Sequence, residues 1–165
     1  MKYLSILSIC AILFTSCGHE EKVVFTSEEI TLSAEGPLFE GSNTLQGSML
    51  IDLNKIKAGT TAENVESVKI KSVKLTSTDS LMFNEISNIT LQCTSNDASM
   101  IQSAVLNPVP EGASSISLIP SAEADLVELF KQKEMLFVAD AELRADKDGN
   151  ISYKAVVEFE LTLKD

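Results

Sequence analysis

From Val23 onward apolar residues recur at every second position in short runs, and turn-forming residues separate the runs at intervals near 8–12. Val23 and Phe25, then Ile30 and Leu32, keep this period. Ser27-Glu28-Glu29 shifts the phase between the two pairs, as a bulge or a change of sheet would. Turn material in Glu35-Gly36-Pro37 and Gly41-Ser42-Asn43 leads into a strand over 44–53. Thr60-Thr61-Ala62-Glu63 fits a capping box that opens one or two helical turns ending near Val65. Val68 and Ile70, then Val73 and Leu75, predict a long strand with a second phase shift at Lys71-Ser72, and its lysines suit an exposed edge. Ile89, Leu91 and Cys93 share one face of the next strand, so Cys93 reads as a small buried thiol. Strands over 100–106 and 114–119 flank a loop, Asn107-Pro108-Val109-Pro110-Glu111-Gly112, whose prolines exclude a central strand.

The period changes once. Ala122, Leu126, Leu129 and Phe130 recur at helical spacing behind Ser121, with Glu123 and Asp125 early and Lys131 late, and predict a helix over about 121–132. Met135, Phe137, Ala139, Ala141 and Leu143 then alternate up to Asp146-Lys147-Asp148-Gly149-Asn150. Ile151, Tyr153, Ala155, Val157, Phe159, Leu161 and Leu163 alternate back, which predicts a C-terminal β-hairpin with an Asp-Gly turn. The fold class expected is mainly β: an antiparallel, immunoglobulin-like β-sandwich over 23–165 with one short helix ahead of the hairpin. This layout, with Asn107-Pro108, resembles the sandwich of late-embryogenesis-abundant type 2 proteins and related bacterial lipoproteins. That resemblance implies a fold and no activity.

The residues ahead of the domain have another character. Lys2 supplies a positive start, and residues 3–14 form an apolar run of signal-peptide length, short of the ~20 residues that span a bilayer. The run closes in Phe14-Thr15-Ser16-Cys17, which resembles the lipobox of bacterial lipoproteins, with Phe14 where Leu is usual. The resemblance implies removal of residues 1–16 and acylation of Cys17 as the first mature residue, leaving 17–22 as a short tether. Two or more acyl chains hold a protein stably at a membrane that it does not span. Gly18 stands where an inner-membrane retention signal would place Asp, so the resemblance implies the outer membrane. Glu20 and Glu21 suit either a surface-export signal or a solvated tether.

Composition narrows the chemistry. Thirteen basic residues face 24 acidic ones, a net charge of −11, and a field of that sign disfavours nucleic acid. With Cys10 in the leader and Cys17 lipidated, Cys93 has no disulfide partner. The sole histidine, His19, lies in the tether without a scaffold, which removes Ser-His-Asp and Cys-His arrangements and histidine zinc sites. Glu158 and Glu160 share a strand face with Lys154, the pattern both of a carboxylate pair and of any solvated sheet face. Asp146, Asp148 and Asn150 alternate like calcium ligands, but Gly149 stands fourth in the run and Val157 occupies the twelfth position, so a turn accounts for them. The chain has no Trp and only 2 Tyr, which disfavours carbohydrate stacking. Asp79-Ser80-Leu81 matches a short O-glycosylation pattern in an expected turn.

The expectation is a non-enzymatic outer-membrane lipoprotein, held to the membrane through Cys17, whose β-sandwich is a binding or structural module with a protein partner in an envelope or cell-surface complex. It needs no catalytic residue, metal or cofactor. The alternative is a periplasmic carrier or chaperone whose aliphatic inner faces part around an apolar ligand.

Overall fold

The computed structural model describes residues 20–78 and 83–164. The leader, Cys17, His19 and Ser80 therefore lie outside the described residues. Nine strands follow one another as β1 (Glu21–Thr26), β2 (Ile30–Ala34), β3 (Gly41–Leu50), β4 (Val65–Ser77), β5 (Ile86–Ser95), β6 (Ala98–Leu106), β7 (Ser115–Pro120), β8 (Glu134–Leu143) and β9 (Ile151–Leu163). Two single-turn helices interrupt them, α1 (Leu53–Ile56) and α2 (Val127–Phe130). All pairings are antiparallel. The order β9-β2-β3-β8-β5-β6-β7-β4 returns to β9, so eight strands close into a barrel.

The expected mainly β, antiparallel fold is present, with its layers closed into a barrel in place of the expected sandwich. β2 and β3 share the register pair Ser33↔Gln46, and β6 and β7 share Ala104↔Pro120 and Val105↔Ile119. These two thin seams join the layers that a sandwich would leave apart. β1 is the ninth strand. It pairs with Glu158–Leu163 positions of β9, on the same edge that β2 occupies further along. The register changes by one residue between Thr26↔Glu158 and Ile30↔Ala155, so the phase shift at Ser27-Glu28-Glu29 is a bulge. Ser27 ties it down, with Ser27 N donating to Val157 O at 2.8 Å and Val157 N donating to Ser27 Oγ at 3.0 Å. A second bulge lies between Ile70 and Ser72, where the sequence changes phase. β4 itself is not an edge, since β9 and β7 flank it, and its Lys71 reaches Glu160 instead.

β8 and β9 keep their alternation, with every expected inward residue from Met135 to Leu143 and from Ile151 to Leu163 buried. They do not form a hairpin. β8 pairs with β3 and β5, while β9 pairs with β1, β2 and β4, so the two strands belong to opposite layers. Residues 144–150 are too many for a two-residue turn, and their polar side chains serve another loop. Asp146 Oδ1 accepts from Glu40 N at 2.8 Å, and Asn150 Oδ1 accepts from Gly36 N at 2.9 Å.

The helix expected over about 121–132 is likewise reduced to the single turn of α2. Asp125 is the reason. Its carboxylate accepts from Val68 N at 2.9 Å, Ser67 Oγ at 2.7 Å and Val127 N at 3.0 Å, and Leu126 N donates to Val68 O. Residues 124–126 are thus held against β4, and helical geometry begins only after them. Leu126, Leu129 and Phe130 still turn inward and are fully buried. The capping box also moves one residue on: Asn64 Oδ1 accepts from Thr61 N and Thr61 Oγ1, closing a 3₁₀ turn at Ala62–Asn64.

Burial pushes the Asp125 carboxyl upward, but the hydrogen bonds from Val68, Ser67 and Val127 and the charge of Lys69 outweigh it and hold the group below its ordinary range. A lowered folded value means that the contribution is complete above the unfolded value and is lost as pH falls through the folded one. Asp125→Asn is expected to cost about 1 kcal/mol at neutral pH. Urea titrations at a series of pH values should show that difference shrinking below about pH 4.

Candidate functional site

The barrel is not closed equally along its length. β2 and β3 meet at Ser33↔Gln46, and Gly47 lets them approach so closely that a Cβ there would lie 2.3 Å from Thr31 O. Beyond Gly47 they part. β3 runs on to Leu50, and residues 51–57, which include α1, make no ladder with β1. The two walls meet again where Lys57 Nζ forms an ion pair with Glu21. Between these closures lies a slot of about 550 Å³.

One wall is Phe25 at the end of β1 with the bulge at Glu28 and Glu29 behind it. The other is the end of β3 and the start of α1. Asp52 organises that second wall, since its side chain accepts from Lys55 N at 3.3 Å and caps α1, while Ile51 N donates to Lys133 O at 2.9 Å and ties the wall to the residue that precedes β8. The floor is apolar, with Ile30 buried and Phe25, Met49 and Ile51 half-buried. Leu50 stands at the mouth with 78% of its surface exposed. Phe25 stacks on the buried ring of Phe159 at a centroid distance of 6.2 Å, which fixes the floor to the core.

The rim charges are unequal. Glu29 is neutralised by Lys154 at 2.6 Å. Among the described residues, the side chains of Lys55, Lys133 and Glu28 make no ion pair or hydrogen bond. In a chain of net charge −11, two lysines left over on one wall are an accessible pair of positive charges.

The carboxylates singled out from the sequence are placed elsewhere. Glu160 holds Lys22 at 3.0 Å and Lys71 at 3.4 Å on the outer face of β9. The hydrogen bond from Lys22, together with the two ammonium charges, keeps it below the usual carboxylate range, which suits an ion-pair anchor and not a proton donor at neutral pH. Glu158 faces outward two residues away, and Lys154 is engaged with Glu29. Asp146 and Asn150 dock the loop after β2, as described above. No group of three His, Cys, Asp or Glu residues among those described could hold a metal ion. Cys93 is buried in the core, and desolvation pushes its thiol up to about 12, so it carries no thiolate at neutral pH. No helix among the described residues is long and apolar enough to cross a membrane.

No family model matches the chain, and no curated protein matches it. Among solved structures it is similar to one of Desmodium yellow mottle tymovirus at 12% identity and a TM-score of 0.30, covering 100% of this chain and 97% of that one. A structure of turnip yellow mosaic virus shows 10% identity and a TM-score of 0.30, covering 90% of this chain and 94% of that one. Likenesses of this size carry no argument about function.

Proposed function

We propose that the chain is a lipid-anchored protein of the outer membrane, attached through Cys17, whose barrel is a non-enzymatic binding or structural module in an envelope or cell-surface complex. The observation that supports a binding role is the slot: an apolar floor beside a strand whose outer edge is unpaired among the described residues. Main-chain donors and acceptors along such an edge are a common means of protein association. Glu21 stands four residues from Cys17, a reach of at most ~14 Å, so the slot would lie close to the membrane surface. The immunoglobulin-like character belongs to this reading as well, with the barrel taken as a sandwich zipped along its two sides. Nucleic acid is not among the partners proposed, because the net charge of −11 repels phosphates.

The anchor is tested by growing cells on a clickable fatty acid. The full chain should take up label and Cys17→Ala should take up none; label retained by the variant would refute the anchor. The binding role is tested by mild cross-linking at native expression, where recovery of the chain alone would count against it.

The carrier reading changes its location. The barrel interior is filled by Phe83, Phe130, Phe137 and Phe159 together with aliphatic side chains in one continuous cluster. An apolar ligand would therefore occupy the slot, over Ile30, Met49 and Leu50, and organic extraction of the native protein would recover it.

A further inference from the structure

We propose that the slot receives an extended segment of a partner protein, added as a strand along the free edge of β1, with an acidic residue of that segment meeting Lys55 and Lys133. This rests on the binding-module reading and gives it a site and a partner chemistry.

The topology supplies the first argument. β9 uses one edge for β4 and the other for β1 and β2 in line, so the outer edge of β1 continues the edge by which β2 meets β3. At Ser33↔Gln46 that edge is laddered, and over Glu21–Thr26 it has no ladder partner among the described residues. The opposite wall does not take the place of a neighbour, because α1 and the residues before it stand off across the slot. β1 thus offers six residues of main chain on one side, bracketed by the close contact at Gly47 and the Glu21–Lys57 ion pair.

Desolvation then selects the occupant. An alkyl chain lying over Phe25, Ile30 and Leu50 would satisfy the floor, but it would strip water from the N–H and C=O groups of β1 without replacing their hydrogen bonds. A peptide strand covers the same floor with alternate side chains and returns those bonds. A second copy of this chain would bring a further −11 charge against this face. Across the slot from Glu28, itself unpaired among the described residues, the two lysines set the charge that the partner strand carries toward their wall. Lys22, Lys57, Lys71, Lys131, Lys147 and Lys154 all have carboxylate partners; Lys55, Lys69, Lys74, Lys133 and Lys164 have none among the described residues, and of these five Lys55 and Lys133 line the slot. A carboxylate carried on the outward side of the added strand would complete them.

The test uses the full-length, lipid-anchored chain in the cells that make it, with a benzophenone amino acid at position 50 and mass spectrometry of the adduct. The expected adduct is one polypeptide stretch of alternating apolar residues that includes Asp or Glu. Its yield should fall about tenfold in a Lys55→Glu, Lys133→Glu background. Both lysines are exposed, so the thermal unfolding of that variant should match the parent. A synthetic peptide of the captured stretch should also slow hydrogen exchange at β1 amides. A lipid adduct, an adduct with a second copy, no adduct, or a polypeptide adduct insensitive to the two lysines would each overturn the proposal. A parallel probe at position 100, an exposed site on β6, separates the two levels of the argument. Polypeptide captured there and not at position 50 removes the slot but leaves the binding module, whereas capture at neither position removes both.

Discussion

Replacing Gly47 with alanine is expected to lower the unfolding free energy by about 3 kcal/mol, at the upper end of what overpacking usually costs. The added Cβ would meet Thr31 O at 2.3 Å, Leu32 Cδ2 at 3.0 Å and Thr31 C at 3.1 Å. The nearest of these is backbone. It cannot rotate away, and β2 cannot retreat without breaking Thr31↔Lys154 and its neighbours in the ladder with β9. The strain therefore falls on Ser33↔Gln46, the register pair that closes β2 onto β3, and the slot should lengthen into the seam. Urea unfolding measures the cost, with Gly149→Ala as the control. No heavy atom stands within 4 Å of a Cβ at Gly149, and a substitution there should stay within about 0.5 kcal/mol of the parent. Equal costs at the two glycines would show that the close approach at Gly47 is not what holds the seam.

Phe159→Ala should cost about 4 kcal/mol, as expected for emptying a fully buried aromatic site. The ring of Phe159 sits between two others. Phe130 of α2 meets it edge-on at 5.0 Å with an interplanar angle of 66°, and Phe25 of β1 stacks on it at 6.2 Å with an angle of 15°. Aromatic pairs contribute about 0.5–1.5 kcal/mol beyond the area they bury, so the loss is more than a cavity. It also frees both neighbours. Amides of β1 and α2 should exchange faster in this variant than those of β6, whose ladder partners are β5 and β7. A cost under about 1 kcal/mol, with uniform exchange, would contradict the role given to Phe159 as the link between slot floor and core.

Much of the architecture was legible because burial enforces alternation. The inward residues of β8 and β9 were read correctly, and the phase shifts at Ser27-Glu28-Glu29 and Lys71-Ser72 became bulges at those places. Pairing was not legible. Two strands with apolar inner faces can lie side by side in a hairpin or face each other across a core, and alternation is the same in both arrangements. The use of Asp146 and Asn150 as acceptors for Glu40 N and Gly36 N, with the backbone bridge between Leu38 and Lys147, shows that residues 144–150 serve a different loop. The helical period over 122–131 was real, yet the bonds from Asp125 to β4 delayed the helix to one turn. Tertiary contacts overrode local propensity there.

The slot left one trace in the sequence. Met49-Leu50-Ile51 places three apolar residues in a row at the end of an alternating strand, and such a run on a surface strand needs a reason. Leu50, the residue out of phase, is the one left most exposed. The lysines gave no such signal. Whether Lys55 or Lys133 has a carboxylate partner depends on strands far away in the chain, and nothing local distinguishes them from Lys57 or Lys154.

The central claim is that, among the described residues, the barrel strands are laddered all round and the outer edge of β1 is left unpaired. Residue-resolved amide hydrogen exchange of the free protein tests it most directly. Amides of β1 that point to β9 should be protected and the alternate ones facing the slot should exchange as in open strand edges, giving a period of two over Glu21–Thr26. Protection at every residue of β1 would mean that its outer edge is already paired, and would contradict both the slot and the docking mode built on it.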